Sequence, residues 1–480
     1  MAGKLKLINN SFAVLITRLA QSVTAFVLTA AIARILGAQE LGQYLLAFSY
    51  YFLFVNVVSQ GLKVLFTREL ARNPEETSIC LTNGTLLQFL LSLLGYAALV
   101  VVVFVLPYGP DTKIACYIMG LTVIPFALSN VTEAILQAQE RMHLIAISCV
   151  PFYILRLLVM IWLMNLGYGI AYISAILVIS EALILATQWI LLLPTIEIKW
   201  QIQGDYLRRT IKNAKVFFAI EGIATLNSRI QILILSIFGG ELLVGVYGAI
   251  QQLMQPFLII SNSVVVAVFP AMSKTASLGK ERQRNLAENI MEMLLILALP
   301  FFVGLVFFGG DLLKLVYGDK GFDNAHIPLA ISAGFLILFP IYRPLSFILV
   351  ANGFEKLNMR ELIVTTTVGG IVGIWLISEY QLIGAAVMFL FMNLLSFVQY
   401  VEAVYSRIFS LQWWNLFRRS LVVSVIMGIV FVILKKTSSN FIQILTISTF
   451  TYCIIIGLLS LYIIGNPREI ISKLKRIRQS

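Results

Sequence analysis

Six basic side chains, Arg18, Arg34, Lys63, Arg156, Arg229 and Arg343, stand inside long apolar stretches of this 480-residue chain. Their neighbours at helical spacing define what they could do. Residues three, four or seven apart share one face of a helix. Ser11, Arg18, Ser22, Ala25 and Thr29 form one such stripe, and Asn56, Gln60, Lys63 and Thr67 form a second. Glu221, Thr225 and Arg229 follow at successive steps of four, and Gln251, Gln255 and Asn262 mark a fourth face, with Pro256 placed to kink it. A guanidinium on a small, polar face can bind an anion through paired N–H donors. The same stripes can hold helices together in lipid, where small and polar residues serve as glue. For the Ser, Thr and Gln members the two readings stand level. Arg18 and Arg229 are read as facing a cavity, because a charge at mid-membrane costs about 2.5 to 3.5 kcal/mol on insertion scales.

The other cations have alternatives. Arg34 lies near the outer end of its span and Lys63 near the inner end, so either could snorkel to the interface. Arg156 is read as a structural partner of Glu181. Arg343 stands between Pro340 and Pro344, where a broken helix could expose backbone, and is an additional candidate for the same cavity. Glu133, Glu292 and Glu402 fall toward the inner ends of their spans and are read as interfacial.

No catalytic or metal-binding spacing accompanies these residues. His143 and His326 have no second ligand nearby, and Cys80, Cys116, Cys149 and Cys453 are scattered among apolar residues as small hydrophobes. Asp311, Asp319 and Asp323 cluster in a solvated loop. No metal, cofactor or enzymatic activity is expected.

The elements that position these side chains follow from composition. With 12% charged and 59% hydrophobic residues and a mean hydropathy of +0.92, the chain is solvated by lipid rather than water, since soluble domains carry about a quarter charged residues. Apolar runs near the ~20 residues that cross a bilayer occur at 11–36, 42–66, 80–106, 113–136, 144–164, 170–193, 214–238, 246–270, 290–309, 328–350, 361–378, 383–405, 420–434 and 441–464. The fold class is therefore an all-α polytopic membrane protein of about fourteen spans. The thirteenth is the weakest, since it is short between Arg419 and Lys435 and would need snorkelling or a thinned membrane. No removable signal peptide is read at the N-terminus.

A net charge of +12 invites a nucleic-acid reading, but the charge alternates by loop. Outside the spans, Lys113, Lys314, Lys320, Lys435 and Lys436 fall on one side; every other Lys and Arg falls in the tails and even-numbered loops. The positive-inside rule places both termini in the cytoplasm, with some attraction for anionic membrane lipids. No nucleic-acid partner is expected.

The chain also repeats itself. Gly37-Ala-Gln-Glu-Leu-Gly42-Gln-Tyr44 returns as Gly240-Glu-Leu-Leu-Val-Gly245-Val-Tyr247, 203 positions on. The same offset pairs Arg18 with Glu221, so a salt bridge between the matched places is one expectation. Further on, Glu140-Arg141 aligns with Glu355-Lys356 and Gly169-Ile-Ala171 with Gly384-Ala-Ala386. The second half has gained twelve residues, which fall in the loop 311–322. Six spans per half make the halves parallel, a pair able to rock about a central site.

The segment Ala33-Arg-Ile-Leu-Gly37-Ala-Gln-Glu-Leu-Gly42-Gln-Tyr44, then Ser59-Gln-Gly61-Leu and Thr67-Arg-Glu-Leu-Ala-Arg72, resembles the opening of the polysaccharide (O-antigen type) flippases of the multidrug/oligosaccharidyl-lipid/polysaccharide exporter (MOP) superfamily. Leu315-Val-Tyr-Gly318 to Phe322, then Ala351-Asn-Gly353, resembles that family's second-half signature. The resemblance implies two six-helix lobes, 1–212 and 213–406, with two further helices and a basic tail in 407–480, and a cavity lined by spans 1, 2, 7 and 8. It implies a protein of the bacterial inner membrane that moves an undecaprenyl-diphosphate-linked oligosaccharide to the outer leaflet for O-antigen, capsule or exopolysaccharide. Its partners would be that lipid-linked oligosaccharide, a polysaccharide polymerase and chain-length machinery. Relatives that flip the peptidoglycan precursor share a cationic cavity, with Arg18 and Arg229 the counterparts in type. An antiporter of the same fold would want an acidic cavity, for which Glu221 is the candidate carboxylate. A membrane polymerase or glycosyltransferase would need catalytic residues in its outer loops, and these are short.

Overall fold

The computed structural model describes residues 2–196, 201–322, 324–437 and 441–464. These are almost wholly helical, with no strand among the described residues. In lipid the backbone must satisfy its own polar groups, and a helix does so within each segment. Among the described residues, twelve helices are long and apolar enough to cross a membrane. They are α1 (Ala2–Ile35), α2 (Ala38–Arg72), α3 (Pro74–Val105), α4 (Pro110–Ala138), α5 (Met142–Asn165), α6 (Ile170–Leu192), α7 (Gly204–Phe238), α8 (Gly240–Ala276), α9 (Lys280–Tyr317), α10 (His326–Ala351), α11 (Glu355–Arg407) and α12 (Trp413–Thr437). A further apolar helix, α13 (Phe441–Ile464), follows.

One of the twelve is two arms. Gln381 breaks α11 with φ 46° and ψ −115°, and the chain doubles back there. A Cβ on Gly384 would overlap the Leu376 carbonyl, one on Gly373 the Met388 sulfur, and one on Gly369 the Met392 side chain. These pairs close symmetrically about Gln381, as they must in an antiparallel hairpin with arms 355–380 and 382–407. The arms contain the spans expected at 361–378 and 383–405.

The thirteenth span departs from expectation. Helix α12 runs 25 residues, from Trp413 to Thr437, longer than the apolar stretch between Arg419 and Lys435. Arg419, taken as its boundary, lies within the helix because Glu292 neutralises it at 3.2 Å. Glu292 is therefore a partner of Arg419 within the bundle.

Contacts divide the chain into two compact units, one of Met1–Gln255, Leu313–Ser332 and Lys356–Ser396, the other of Pro256–Leu312, Ala333–Glu355 and Phe397–Ser480. In the first, α1 packs along α5, α2 along α4, both α4 and α5 on α6, and α7 along α2. Leu62, Leu65 and Phe66 of α2 meet Leu87 of α3, Ile135 of α4, Tyr153 of α5 and Ile184 of α6 in its core. The sequence repeat is visible here as a reciprocal contact. A Cβ on Gly42 would overlap the Glu241 carbonyl, and one on Gly245 would overlap the Ala38 carbonyl. Ala38 and Glu241 are matched positions under the repeat, as are Gly42 and Gly245, so α2 and α8 cross self-complementarily, in the manner of a two-fold interface. Only glycine at both places lets the backbones come this close.

In the second unit, α12 and α13 pack together and against α9. Besides the Arg419–Glu292 pair, Glu288 accepts from the Gln412 amide at 2.8 Å, and the Tyr452 hydroxyl donates to the Ile296 carbonyl at 3.2 Å. Phe308, Met427, Phe431 and Ile444 form the apolar cluster between them. Beside it lies an apolar cavity of about 270 Å³ bounded by Pro256, Phe257, Pro300, Phe301, Phe431 and Tyr452, among others.

Candidate functional site

Helix α1 presents two contrasting faces. Ala13, Leu28 and Ile32 are buried, whereas Ser11, Arg18 and Ala25 are exposed and Ser22 is half-buried. The stripe closes only at its far end, where Thr29 is buried with its hydroxyl on the Ala25 carbonyl at 2.9 Å. Arg18 makes no hydrogen bond or ion pair among the described residues. It projects from the open face of α1, away from the buried one.

On α7, Glu221 is half-buried and Thr225 buried, one turn before Arg229. The Arg229 guanidinium lies over the Phe52 ring at 4.8 Å and the Phe48 ring at 5.5 Å. Its Nε is buried without a hydrogen-bond partner, and no carboxylate pairs with it among the described residues. The two rings, one turn apart on α2, supply quadrupole attraction of about 0.5 to 2 kcal/mol but no counter-charge. The positive charge is thus held in place and left uncompensated. The salt bridge expected between Arg18 and Glu221 does not form: no ion pair joins them among the described residues. Helix α7 packs along α2 and not along α1, so the two matched positions are not brought face to face.

The second stripe lies on a wide turn. Residues Asn56–Gln60 of α2 form a π-helical turn, a deviation that often marks functional sites. The turn frees the Val58 carbonyl to accept from Gln88 at 2.9 Å, and Ser59 accepts from Asn130 at 2.6 Å. Asn56 is buried and donates to the Phe52 carbonyl at 2.7 Å, while Gln60 is half-buried. Lys63 does not snorkel. It is ion-paired with Glu133, both side chains largely buried, and Glu133 also accepts from Gln188 at 3.3 Å. Glu133 is therefore packed inside the bundle, with both a cation and an amide on its carboxylate. Arg156 pairs with Glu181 at 2.8 Å, as expected for a structural pair, with the Tyr153 ring at 5.0 Å.

Along α8, Gln251 donates to the Tyr247 hydroxyl at 2.7 Å, and Gln255 is half-buried. In the second unit, Arg343 donates through Nε to Asn262 at 2.8 Å and lies 5.0 Å from the Phe347 ring. The broken helix expected around Arg343 is absent from this segment: residues Phe335–Ala351 stay helical through both prolines, and the interruption falls earlier, at Gly334.

Some polar contacts have no precursor among the stripes. Asn227 donates to the Thr366 hydroxyl at 2.8 Å, Gln231 approaches the Met392 sulfur at 3.2 Å, and Glu361 accepts from Thr365 at 3.1 Å and from Ser396. They pin α7 to α11 and tie its arms together. Asn227 and Gln231 share the face of α7 roughly opposite the Glu221 stripe, a signal visible only once the partner arm is known. Among the described residues no group of three His, Cys, Asp or Glu could hold a metal.

Twelve apolar helices among the described residues, with polar stripes, fixed cations and a reciprocal repeat contact, make this a multi-pass membrane protein built on an internal repeat. The chain belongs to the polysaccharide biosynthesis protein family, whose sequence profile matches residues 31–323. No curated protein sequence matches the chain. Among solved structures, it is similar to the lipid II flippase MurJ in an inward closed conformation, at 17% identity and a TM-score of 0.75, over 95% of this chain and 100% of that one. It is similar to an inward-facing multidrug resistance MATE transporter of the MOP superfamily, at 14% identity and a TM-score of 0.63, over 82% and 94%. The MATE multidrug transporter DinF-BH matches at 18% identity and a TM-score of 0.60, over 86% and 96%.

Proposed function

We propose that this protein is a flippase that carries an undecaprenyl-diphosphate-linked oligosaccharide from the cytoplasmic to the outer leaflet of a bacterial inner membrane by alternating access. Lobes 1–212 and 213–406 rock against each other, with 407–480 appended, and both termini stay in the cytoplasm. Arg18 and Arg229 bind the diphosphate. The glycan passes along the half-buried amides and hydroxyl of Gln60, Gln251, Gln255 and Ser22 and the buried hydroxyl of Thr225, for O-antigen, capsule or exopolysaccharide assembly.

The observation that carries this reading is that Arg18 and Arg229 lack carboxylate partners, whereas Lys63 and Arg156 in the same unit have them. A membrane-spanning helix tolerates an uncompensated cation where an anionic ligand supplies the counter-charge. A lipid-linked diphosphate brings about two negative charges, and the guanidinium fork matches phosphate geometry. Relatives support the direction: the family is one of polysaccharide biosynthesis, and MurJ is a flippase of lipid II.

The test is complementation of a deletion strain, with surface polysaccharide measured against the membrane level of each variant. Arg18→Ala and Arg229→Ala should abolish export at normal abundance, and Arg→Lys should restore it in part. Normal export by both Ala variants would end the reading. Reporters after Arg209 or Arg284 should lie in the cytoplasm and one near Asp319 outside. An antiporter reading rests on Glu221, a half-buried carboxylate with no ion-pair partner among the described residues. Loss of ion-coupled transport in Glu221→Gln, with glycan export intact, would favour it.

A further inference from the structure

Two of the segments that carry the family resemblance, 33–44 and 315–322, are in contact. Helix α1 ends at Ile35 and α9 at Tyr317, and each leaves its last carbonyls without intrahelical partners. Arg34 of α1 donates through Nε to the Val316 carbonyl at 2.8 Å and through a terminal nitrogen to the Leu315 carbonyl. Lys320, just past α9, returns the contact by donating to the Ile35 carbonyl at 2.7 Å. The Ala38 amide then donates to the Lys320 carbonyl at 3.2 Å. Each helix thus receives a cation on its C-terminal carbonyls from the other segment, the end at which the helix dipole favours positive charge.

The packing around these bonds is close. A Cβ on Gly321 would lie 3.0 Å from the Ala38 Cβ, and one on Gly37 would lie 3.7 Å from the Lys320 Cβ. Below them the Tyr317 and Phe322 rings stack at 5.6 Å, both buried. Arg34 and Lys320 themselves are exposed, so water competes for their bonds and the contact can open at modest cost. The contact is also one-sided. Under the repeat, Arg34 falls on Ile237, and Lys320 lies in the twelve residues that only the second half possesses. The inserted segment therefore has a physical use: it reaches from the second half to the end of the first span.

We propose that Arg34 and Lys320 form a latch that holds the outer end of the first half closed against the second-half segment 313–322, and that it must open before cargo can leave outward. The proposal rests on the alternating-access reading above, because a carrier that opens outward has to part these two segments. Arg34 acts here as a conformational residue rather than a snorkelling one, and Lys320 supplies the other jaw.

Thr29 reports on the latch. It lies on the polar stripe of α1, five residues inward from Arg34, and is buried. Thr29→Cys in a Cys453→Ser background leaves the three native thiols Cys80, Cys116 and Cys149 buried. Intact cells would be treated with a membrane-impermeant maleimide. Labelling should be slow with the latch intact and about tenfold faster with Arg34→Ala and Lys320→Ala combined, the factor expected on losing three solvent-exposed charge-assisted hydrogen bonds. Lys320→Ala alone removes only an exposed side chain, so it keeps the test open should the double variant fail to accumulate, and it should also raise the rate. Unchanged labelling in well-folded Lys320→Ala protein overturns the latch. Because labelling needs no substrate, faster labelling without glycan export would instead sink the flippase reading and leave the latch standing.

Discussion

Arg156 and Arg229 lie in the same compact unit, each on a membrane-spanning helix and each about 5 Å from an aromatic ring, yet only one is neutralised. Glu181 sits 2.8 Å from Arg156, and Ser180 accepts at 3.3 Å. Arg229 has rings on α2 and nothing anionic among the described residues. A ring face stabilises a guanidinium without cancelling its charge, so the aromatic contacts do not separate the two. The counter-charge does. Arg156 is satisfied from within and joins α5 to α6; Arg229 has ring faces but no counter-charge among the described residues, which under the proposed function a ligand would bring.

Substitutions should break this comparison in graded ways. The largest expected effect is at Arg156. Arg156→Ala strands Glu181 in a buried site, which costs about 3 to 5 kcal/mol. Thermal aggregation in detergent should start well below the wild-type temperature, and adding Glu181→Gln should recover most of the loss. A double variant as unstable as the single would mean that Arg156 contributes packing rather than charge. Next comes Arg229. Arg229→Ala should leave the melting behaviour near wild type and lower glycan export about 100-fold, the size of effect when one member of a desolvated charged contact is removed. A collapse in stability without the Arg156 pattern of rescue would move Arg229 into the structural class.

Lys63 falls between the two. Lys63→Met leaves Glu133 with Gln188 as a remaining donor, so the expected loss is about 1 to 3 kcal/mol, recovered by Glu133→Gln. If Lys63→Met abolishes export at full stability, Lys63 belongs with Arg229. The smallest effect is at Arg209, whose pair with Glu76 is 3.0 Å long but 52% exposed on the arginine side. Arg209→Ala should cost less than about 1 kcal/mol and leave export unchanged, which sets the baseline for a solvated pair.

The sequence by itself determined the all-helical, multi-pass class, because hydropathy and run length answer to the bilayer alone. It also carried the repeat: the offset between Gly42 and Gly245 becomes a reciprocal helix crossing, since matched sequences placed about a two-fold must meet at matched atoms. The Arg156–Glu181 pair was legible too, as opposite charges on successive spans with a short connection. Tertiary structure decided which other cations stay free. Periodicity fixes the face on which Lys63, Arg34, Arg343 or Arg18 stands, but not which helix faces it. Glu133 reaches Lys63 from two spans away, the Leu315 and Val316 carbonyls reach Arg34 across most of the chain, and Asn262 meets Arg343. The Arg18–Glu221 bridge failed for the same reason, because matched places in a repeat share an environment without sharing a contact. A charge belongs to its own helix in sequence, but its neutralisation belongs to the neighbour, and helix packing chooses the neighbour.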